Sequence, residues 1–157
     1  MPSNFYGESK LKAEKGIIPL QNKNFNVAII RPPMVYGENS KGNYQTLSKL
    51  AQILPVFPQI KNERSMIHID NLCELIRLLI KNNESGIFYP QNKEYMNTTK
   101  MVMKIAERNK RKIWTTKLAN PILFLLSNKF NIINKAFGSL VYDKNISIYK
   151  ENYQLRE

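Results

Sequence analysis

A tyrosine and a lysine four residues apart, in Tyr6-Gly7-Glu8-Ser9-Lys10, are the two side chains of this sequence best placed to move a proton. On a helix, positions i and i+4 share a face, so the phenol and the ammonium point the same way about one turn apart. A phenol with an ordinary pKa near ~10 is a weak base at neutral pH, and a neighbouring cation favours its phenolate. The pair therefore suits general acid/base work on a hydroxyl. Ordinary helix surface neighbours also show this spacing, so the surrounding elements decide between the two readings.

Those elements are legible in outline. Ser3 or Asn4 can cap a helix from Tyr6 to about Leu20. Phe25 to Ile30 is almost continuously apolar, as a strand buried on both faces tends to be, and Arg31-Pro32-Pro33 stops it. Met34 to Asn39 then reads as a loop at the carboxyl edge of a sheet, where ligands of open α/β sheets gather. A helix over Asn43 to Leu54 is stopped by Pro55 and Pro58. Arg64 to Ile69 alternates like a short strand, and Asp70 or Asn71 is positioned to cap a helix with the apolar stripe Leu72, Leu75, Ile76, Leu79 and Ile80. Gly86 to Pro90 predicts a strand, Thr98 or Thr99 a helix start running to about Asn109, and Lys112 to Thr116 a short strand. Pro121 to Phe130 and Ile132 to Leu140 predict two further helices, basic at Lys129 and Lys135.

The 157 residues are 43% hydrophobic, enough to bury a core in about one domain's length. Against 12 Asp and Glu stand 24 Lys and Arg, a formal charge of +12 that invites anionic partners. These cations are mostly scattered lysines, and the densest stretch, Lys104 to Lys112, reads as a solvated helix end. A basic module that stacks bases on Tyr or Trp114 is the alternative this charge keeps open, although no nucleic-acid motif accompanies it. Cys73 is the one cysteine, so no internal disulfide is possible and a reducing compartment is expected. Met1 to Asn4 lack a signal-peptide start, and the apolar run around Ile122 to Leu126 is far short of the ~20 residues of a spanning helix. A cytoplasmic protein with no membrane span and no metal site is expected.

Three segments carry a resemblance when taken in order. Tyr6-Gly7-Glu8-Ser9-Lys10 is similar to the active-site YGxSK of the extended short-chain dehydrogenase/reductase family, the NAD-dependent nucleotide-sugar epimerases and dehydratases. Arg31 to Gly37 resembles that family's RPxxVYGP segment, and Arg64 to Leu72 its RDYIHVxDL segment. The resemblance is clear to about Tyr89 and fainter beyond it, where Val141-Tyr142-Asp143 resembles a late strand of the family. It implies an α/β fold: a remnant of a doubly wound, Rossmann-like parallel sheet from residues 1–31 and 64–92, with a smaller α/β substrate-binding region from 32–63 and 93–157.

The resemblance also implies roles. Tyr6 would be the acid/base at a sugar hydroxyl, and Lys10 would bind the nicotinamide ribose of NAD and favour the Tyr6 phenolate. Pro32 and Pro33 would border the nicotinamide, Arg64 would hold the diphosphate of a nucleotide sugar with its planar fork, and Tyr36 would contact substrate. His68 and Asp70 read more simply as a packed strand residue and a helix cap. The intact enzyme could form a homodimer, and no specific nucleic-acid partner is implied. The sequence departs from the family in three respects. The 6 glycines stand apart, so no glycine-rich turn precedes Tyr6 to hold the pyrophosphate of NAD. The family's upstream catalytic Ser or Thr is absent for the same reason. Met34 stands where many epimerases have Asn, and Glu38 where Pro is usual. The expectation is a C-terminal part of such an enzyme, inactive alone or a non-catalytic remnant.

Overall fold

The computed structural model describes residues 5–38, 40, 43–118, 120–121 and 138–156. Helix α1 spans Phe5–Ile17 and tightens into a 3-10 turn at Ile18–Leu20, where Pro19 ends the regular ladder. The order is then β1 (Ala28–Ile30), β2 (Met34–Tyr36), α2 (Asn43–Ile53), β3 (Val56–Pro58), β4 (Met66–His68), α3 (Ile69–Lys81), β5 (Gly86–Phe88), α4 (Thr98–Arg108) and β6 (Trp114–Thr116). A second 3-10 turn, Lys144–Ser147, follows near the end.

Among the described residues six strands form three pairs, all parallel: β1 with β5, β2 with β4 and β3 with β6. Parallel neighbours need crossovers, and helices lie in all three: α2 between β2 and β4, α2 and α3 between β1 and β5, and α3 and α4 between β3 and β6. The α/β class expected from the sequence is the class observed.

Strand β4 divides the interior. Successive side chains of a strand point to opposite faces, so Met66 and Ile67 enter different cores. Met66 packs with Leu47 and Ala51 of α2, Phe57 of β3 and Met101, Val102, Ile105 and Ala106 of α4. Ile67 packs with Leu75, Leu78 and Leu79 of α3 and with Tyr153, against Ile30, Val35 and Phe88. Amphipathic spacing on α3 and α4 thus delivers both cores.

Several local expectations are corrected. Met34 to Tyr36 is not loop but strand β2, because β4 offers it a parallel ladder, Met34 against Met66 through Tyr36 against His68. Phe25 to Ile30 is only half a strand: Asn22 and Phe25 exchange backbone bonds in a tight turn, and the ladder starts at Ala28. The proline-flanked Val56–Pro58 is a strand too, since Trp114 N–H reaches Pro55 O and Gln59 N–H reaches Thr116 O, bonds that need no proline donor. His68, not Asp70 or Asn71, caps α3, its Nδ1 accepting from Asp70 N–H at 3.2 Å. Asn97, not Thr98 or Thr99, caps α4. The two threonines instead pin the preceding loop: Asn62 Nδ2 donates to Thr98 Oγ1 at 2.8 Å, and Thr99 Oγ1 donates to Pro58 O at 2.9 Å. Val141 to Asp143 is not a strand, and Asp143 caps the second 3-10 turn by accepting from Asn145 N–H. The expected helices of 121–140 lie almost wholly outside the described residues, as do Ser3 and Asn4; at the far end Leu140 bridges Arg64 rather than closing a helix.

Candidate functional site

Helix α1 carries both Tyr6 and Lys10 on one stripe. Lys10 Nζ stands 5.5 Å from the centroid of the Tyr6 ring, the i,i+4 meeting that the spacing predicts. Ser9 Oγ donates to Tyr6 O at 2.8 Å, a local bond within the first turns of the helix. Tyr6 is 71% exposed and α1 buries none of its residues, so this face meets solvent.

A third member of the stripe, Glu14, ties α1 to the sheet. Arg31 Nε donates to Glu14 Oε1 at 3.0 Å, and Arg31 Nη2 pairs with Glu14 Oε2. The fork is bidentate, the strongest common geometry of a guanidinium on a carboxylate. Arg31 N–H continues the β1–β5 ladder by donating to Phe88 O at 2.8 Å, while Nη1 donates to Tyr89 Oη at 2.8 Å. The hydrogen bonds from Arg31 hold the Glu14 carboxyl below its ordinary pKa, and those to Glu14 raise that of Arg31. Pro32 and Pro33 follow at once, so the Glu14 end of the stripe lies beside the carboxyl end of β1, about two helical turns from Tyr6. Glu14 was legible as the next i+4 position of the stripe, but sequence reasoning passed over it.

Arg64 and Tyr36 belong to the second strand pair and stand at its opposite ends. Arg64 precedes β4, joined to Met96 by two backbone bonds of 2.9 Å, with Nη1 donating to Gly138 O at 3.4 Å. It is half-buried, and burial lowers its pKa. A cation partly removed from water gains when an anion joins it. Tyr36 ends β2, its hydroxyl accepting from Asn92 Nδ2 at 2.6 Å and its ring meeting His68 edge-on at 5.1 Å. A cavity of about 190 Å³ opens there, walled by Tyr36, Tyr44, His68, Met101, Lys104 and Arg108. Two cations of the stretch read as a solvated helix end therefore face a cavity. Gly37 closes the strand with φ of 140°, and a Cβ there would come within 2.6 Å of Ile69 Cγ2, so only glycine fits. A larger cleft of about 390 Å³ lies between residues 91–93 and 144–154, and shares with the first site only Asn92, the partner of Tyr36.

Sequence reasoning also missed a buried amide network. Asn71, read as a possible cap, is fully buried: Nδ2 donates to Asn92 Oδ1 at 2.9 Å and to Arg156 O at 2.8 Å, and Oδ1 accepts from Leu155 and Arg156 N–H. Gln91 does the same for the other end of the tail, with Oε1 accepting from Ser65 Oγ at 2.6 Å and Nε2 donating to Ser147 Oγ at 2.8 Å. Isolated Asn and Gln carry no period or motif that announces such a role. No group of His, Cys, Asp and Glu among the described residues could hold a metal ion, and no described helix is long and apolar enough to cross a membrane.

An NAD-binding family model described as male sterility protein matches residues 1–76. The chain is 32% identical over 153 residues to a UDP-glucose 4-epimerase of Vibrio cholerae, covering 90% of this chain and 46% of that protein. It is 30% identical over 145 residues to an N-acetyl-alpha-D-glucosaminyl-diphospho-ditrans,octacis-undecaprenol 4-epimerase of Escherichia coli O157:H7, covering 87% of this chain and 44% of that protein. The chain thus spans a little under half the length of these curated relatives. Among solved structures it is similar to a dTDP-4-dehydrorhamnose reductase of Clostridium acetobutylicum, with a TM-score of 0.60 and 18% identity over 74% of this chain and 40% of that one. A UDP-N-acetylglucosamine 4-epimerase of Bacillus cereus gives a TM-score of 0.58 and 21% identity over 74% of this chain and 43% of that one. At these identities the structural likeness is one of fold.

Proposed function

We propose a function from the premise that this chain belongs to the extended short-chain dehydrogenase/reductase family, as a C-terminal part of a nucleotide-sugar epimerase: within the whole protein it supplies the acid/base pair and the diphosphate contact of an NAD-dependent 4-epimerase. The observation that carries this reading is Lys10 Nζ poised 5.5 Å from the Tyr6 ring, on the helix that Glu14 ties to the carboxyl end of β1. Tyr6 takes the proton of a sugar hydroxyl during oxidation and returns a proton on re-reduction. Lys10 holds the nicotinamide ribose with its ammonium beside the Tyr6 ring. Pro32 and Pro33 border the nicotinamide without offering it an N–H donor. NAD, when bound, supplies the hydride acceptor.

Arg64 holds the substrate diphosphate, which Met34 cannot bond strongly. Tyr36 contacts the substrate from the other end of the β2–β4 pair, four ladder positions or ~13 Å away. Both curated relatives are named as 4-epimerases of diphosphate-linked sugars, which favours return of hydride to the opposite face over loss of water. The residues fit the ribose end of the dinucleotide only. The six glycines stand apart, so no turn here cradles a pyrophosphate, and we propose that this chain alone binds NAD weakly and turns over no sugar. We propose that the whole protein acts on a nucleotide sugar in the cytoplasm and that a homodimer is open to it. The nucleic-acid alternative has only the +12 charge behind it.

The test joins this chain to a family NAD-binding half and compares two variants. Tyr6→Phe is expected to cut kcat by ~10²- to 10⁴-fold with KM nearly unchanged. Arg64→Ala is expected to raise KM, with a loss of about 2 to 4 kcal/mol in transition-state stabilisation. Full kcat in Tyr6→Phe would overturn the reading, and an unchanged KM in Arg64→Ala would remove Arg64 from the site.

A further inference from the structure

Lys10 has two neighbours at one-turn spacing, Tyr6 at i−4 and Glu14 at i+4. On an exposed helix an ammonium between a phenol ring and a carboxylate is drawn to the carboxylate, where opposite charges meet. That is not what the structure holds. Lys10 Nζ lies over the Tyr6 ring, and among the described residues it pairs with no carboxylate. Both Glu14 oxygens are taken by Arg31, through Nε at 3.0 Å and through Nη2. Arg31 is itself fixed from three sides: its N–H on Phe88 O, its Nη1 on Tyr89 Oη, and its guanidinium carbon 5.6 Å from the Tyr89 ring centroid. Tyr89 in turn packs edge-on against Tyr142 at 5.5 Å.

We propose that Arg31 is a positioning residue that sequesters the Glu14 carboxylate and thereby reserves the Lys10 ammonium for Tyr6 and for a hydroxyl-bearing ligand. This deepens the function proposed above and rests on it for its catalytic meaning. The charge on Lys10 is worth most to a phenolate when no carboxylate shares it. Glu14 keeps a separate use, as the strut that docks α1 on the end of β1. The one contact thus serves both placement of the helix and the charge of its reactive stripe.

The test needs only this chain, with its lysine side-chain methylenes labelled for NMR. Lys10 over the Tyr6 ring shows an upfield ring-current displacement of its ε-methylene protons. In Arg31→Leu the released Glu14 is expected to draw Lys10 away, so that this displacement falls by half or more; Arg31→Gln serves where Leu prevents folding. Removing the competitor as well, in Arg31→Leu with Glu14→Gln, is expected to restore it, and Glu14→Gln alone to preserve it. A displacement unchanged in the Arg31 variants, or not restored in the double variant, overturns the proposal, as does its loss in Glu14→Gln. A merely structural role for Arg31 would not be rescued by Glu14→Gln. In the protein joined to an NAD-binding half, Arg31→Leu is expected to lower kcat roughly ten- to hundredfold with KM unchanged, and the double variant to recover only the part owed to Lys10, the docking of α1 still being lost. If that joined protein is inactive with Arg31 intact, the functional reading falls while the ring-current comparison still decides the sequestration.

Discussion

The two sides of β1 are built differently. Behind it, β4 feeds two cores, and almost every buried polar atom between them has a partner: Asn71, Gln91, Asn92, Thr98 and Ser65 all sit inside closed sets of hydrogen bonds. In front of it, α1 buries nothing, and Phe5, Tyr6, Ile17, Ile18, Leu20 and Phe25 are all exposed. One contact, Glu14 on Arg31, carries the side-chain attachment described for that helix. The rear is satisfied by its own residues. The front leaves both its apolar side chains and the Tyr6–Lys10 pair exposed.

The comparison breaks most visibly in the core. Phe57 is 1% exposed and touches both α2 and α4 elements of its cluster, so Phe57→Ala is expected to cost about 3 to 5 kcal/mol by lost transfer and a cavity. Phe25→Ala, a deletion of the same side chain from the front, is expected to change stability by under about 0.5 kcal/mol. Chemical denaturation of both variants measures the contrast. Equal losses would mean that the front is packed in solution.

A smaller effect is expected from the amide network. Asn71→Ala strips partners from Asn92 Oδ1, Arg156 O and two backbone N–H groups in one step. Leaving buried polar groups unpaired costs about 1 to 3 kcal/mol, and part of the tail regains water instead. Hydrogen exchange should show the loss concentrated in residues 153–156. Uniform loosening of the whole domain would argue that the tail is integral to the core rather than clipped to it.

How much of this was legible follows from what kind of signal each feature leaves. The helices α2, α3 and α4 announce themselves by apolar stripes, and the Tyr6 stripe by its i,i+4 spacing. The two short strands β2 and β3 were missed because three residues carry no period, and because their ladders depend on partners 32 and 58 positions away, Met66 for Met34 and Trp114 for Val56. Caps went to the wrong residues for a related reason: Asp70, Asn71, Thr98 and Thr99 all have the chemistry of a cap, and tertiary contacts took Asn71 and the threonines for other bonds. Of the candidate site, the motif residues were found one by one. That Tyr36 and Arg64 sit at opposite ends of one strand pair needed the register.

The smallest expected effect is the one that isolates the front. The Glu14 carboxyl has its pKa lowered by the Arg31 hydrogen bonds, and its side chain is 18% exposed. A depressed carboxylate pKa means that the unfolded state binds the proton more readily, so acid favours unfolding. The contribution of the pair is therefore fully present above the ordinary carboxylate value of 4.5 and is lost as pH falls through the lower folded value. Arg31 is 35% exposed, and a pair this accessible contributes no more than about 1 kcal/mol. Exchange of the α1 amides is the sensitive probe, because this helix buries none of its residues. At pH 7 Glu14→Gln should exchange faster than the wild type over residues 5–17, and the two should converge as pH falls through the lowered value and the wild-type carboxyl takes up its proton. Equal exchange at pH 7 would mean that α1 is held by something other than Arg31.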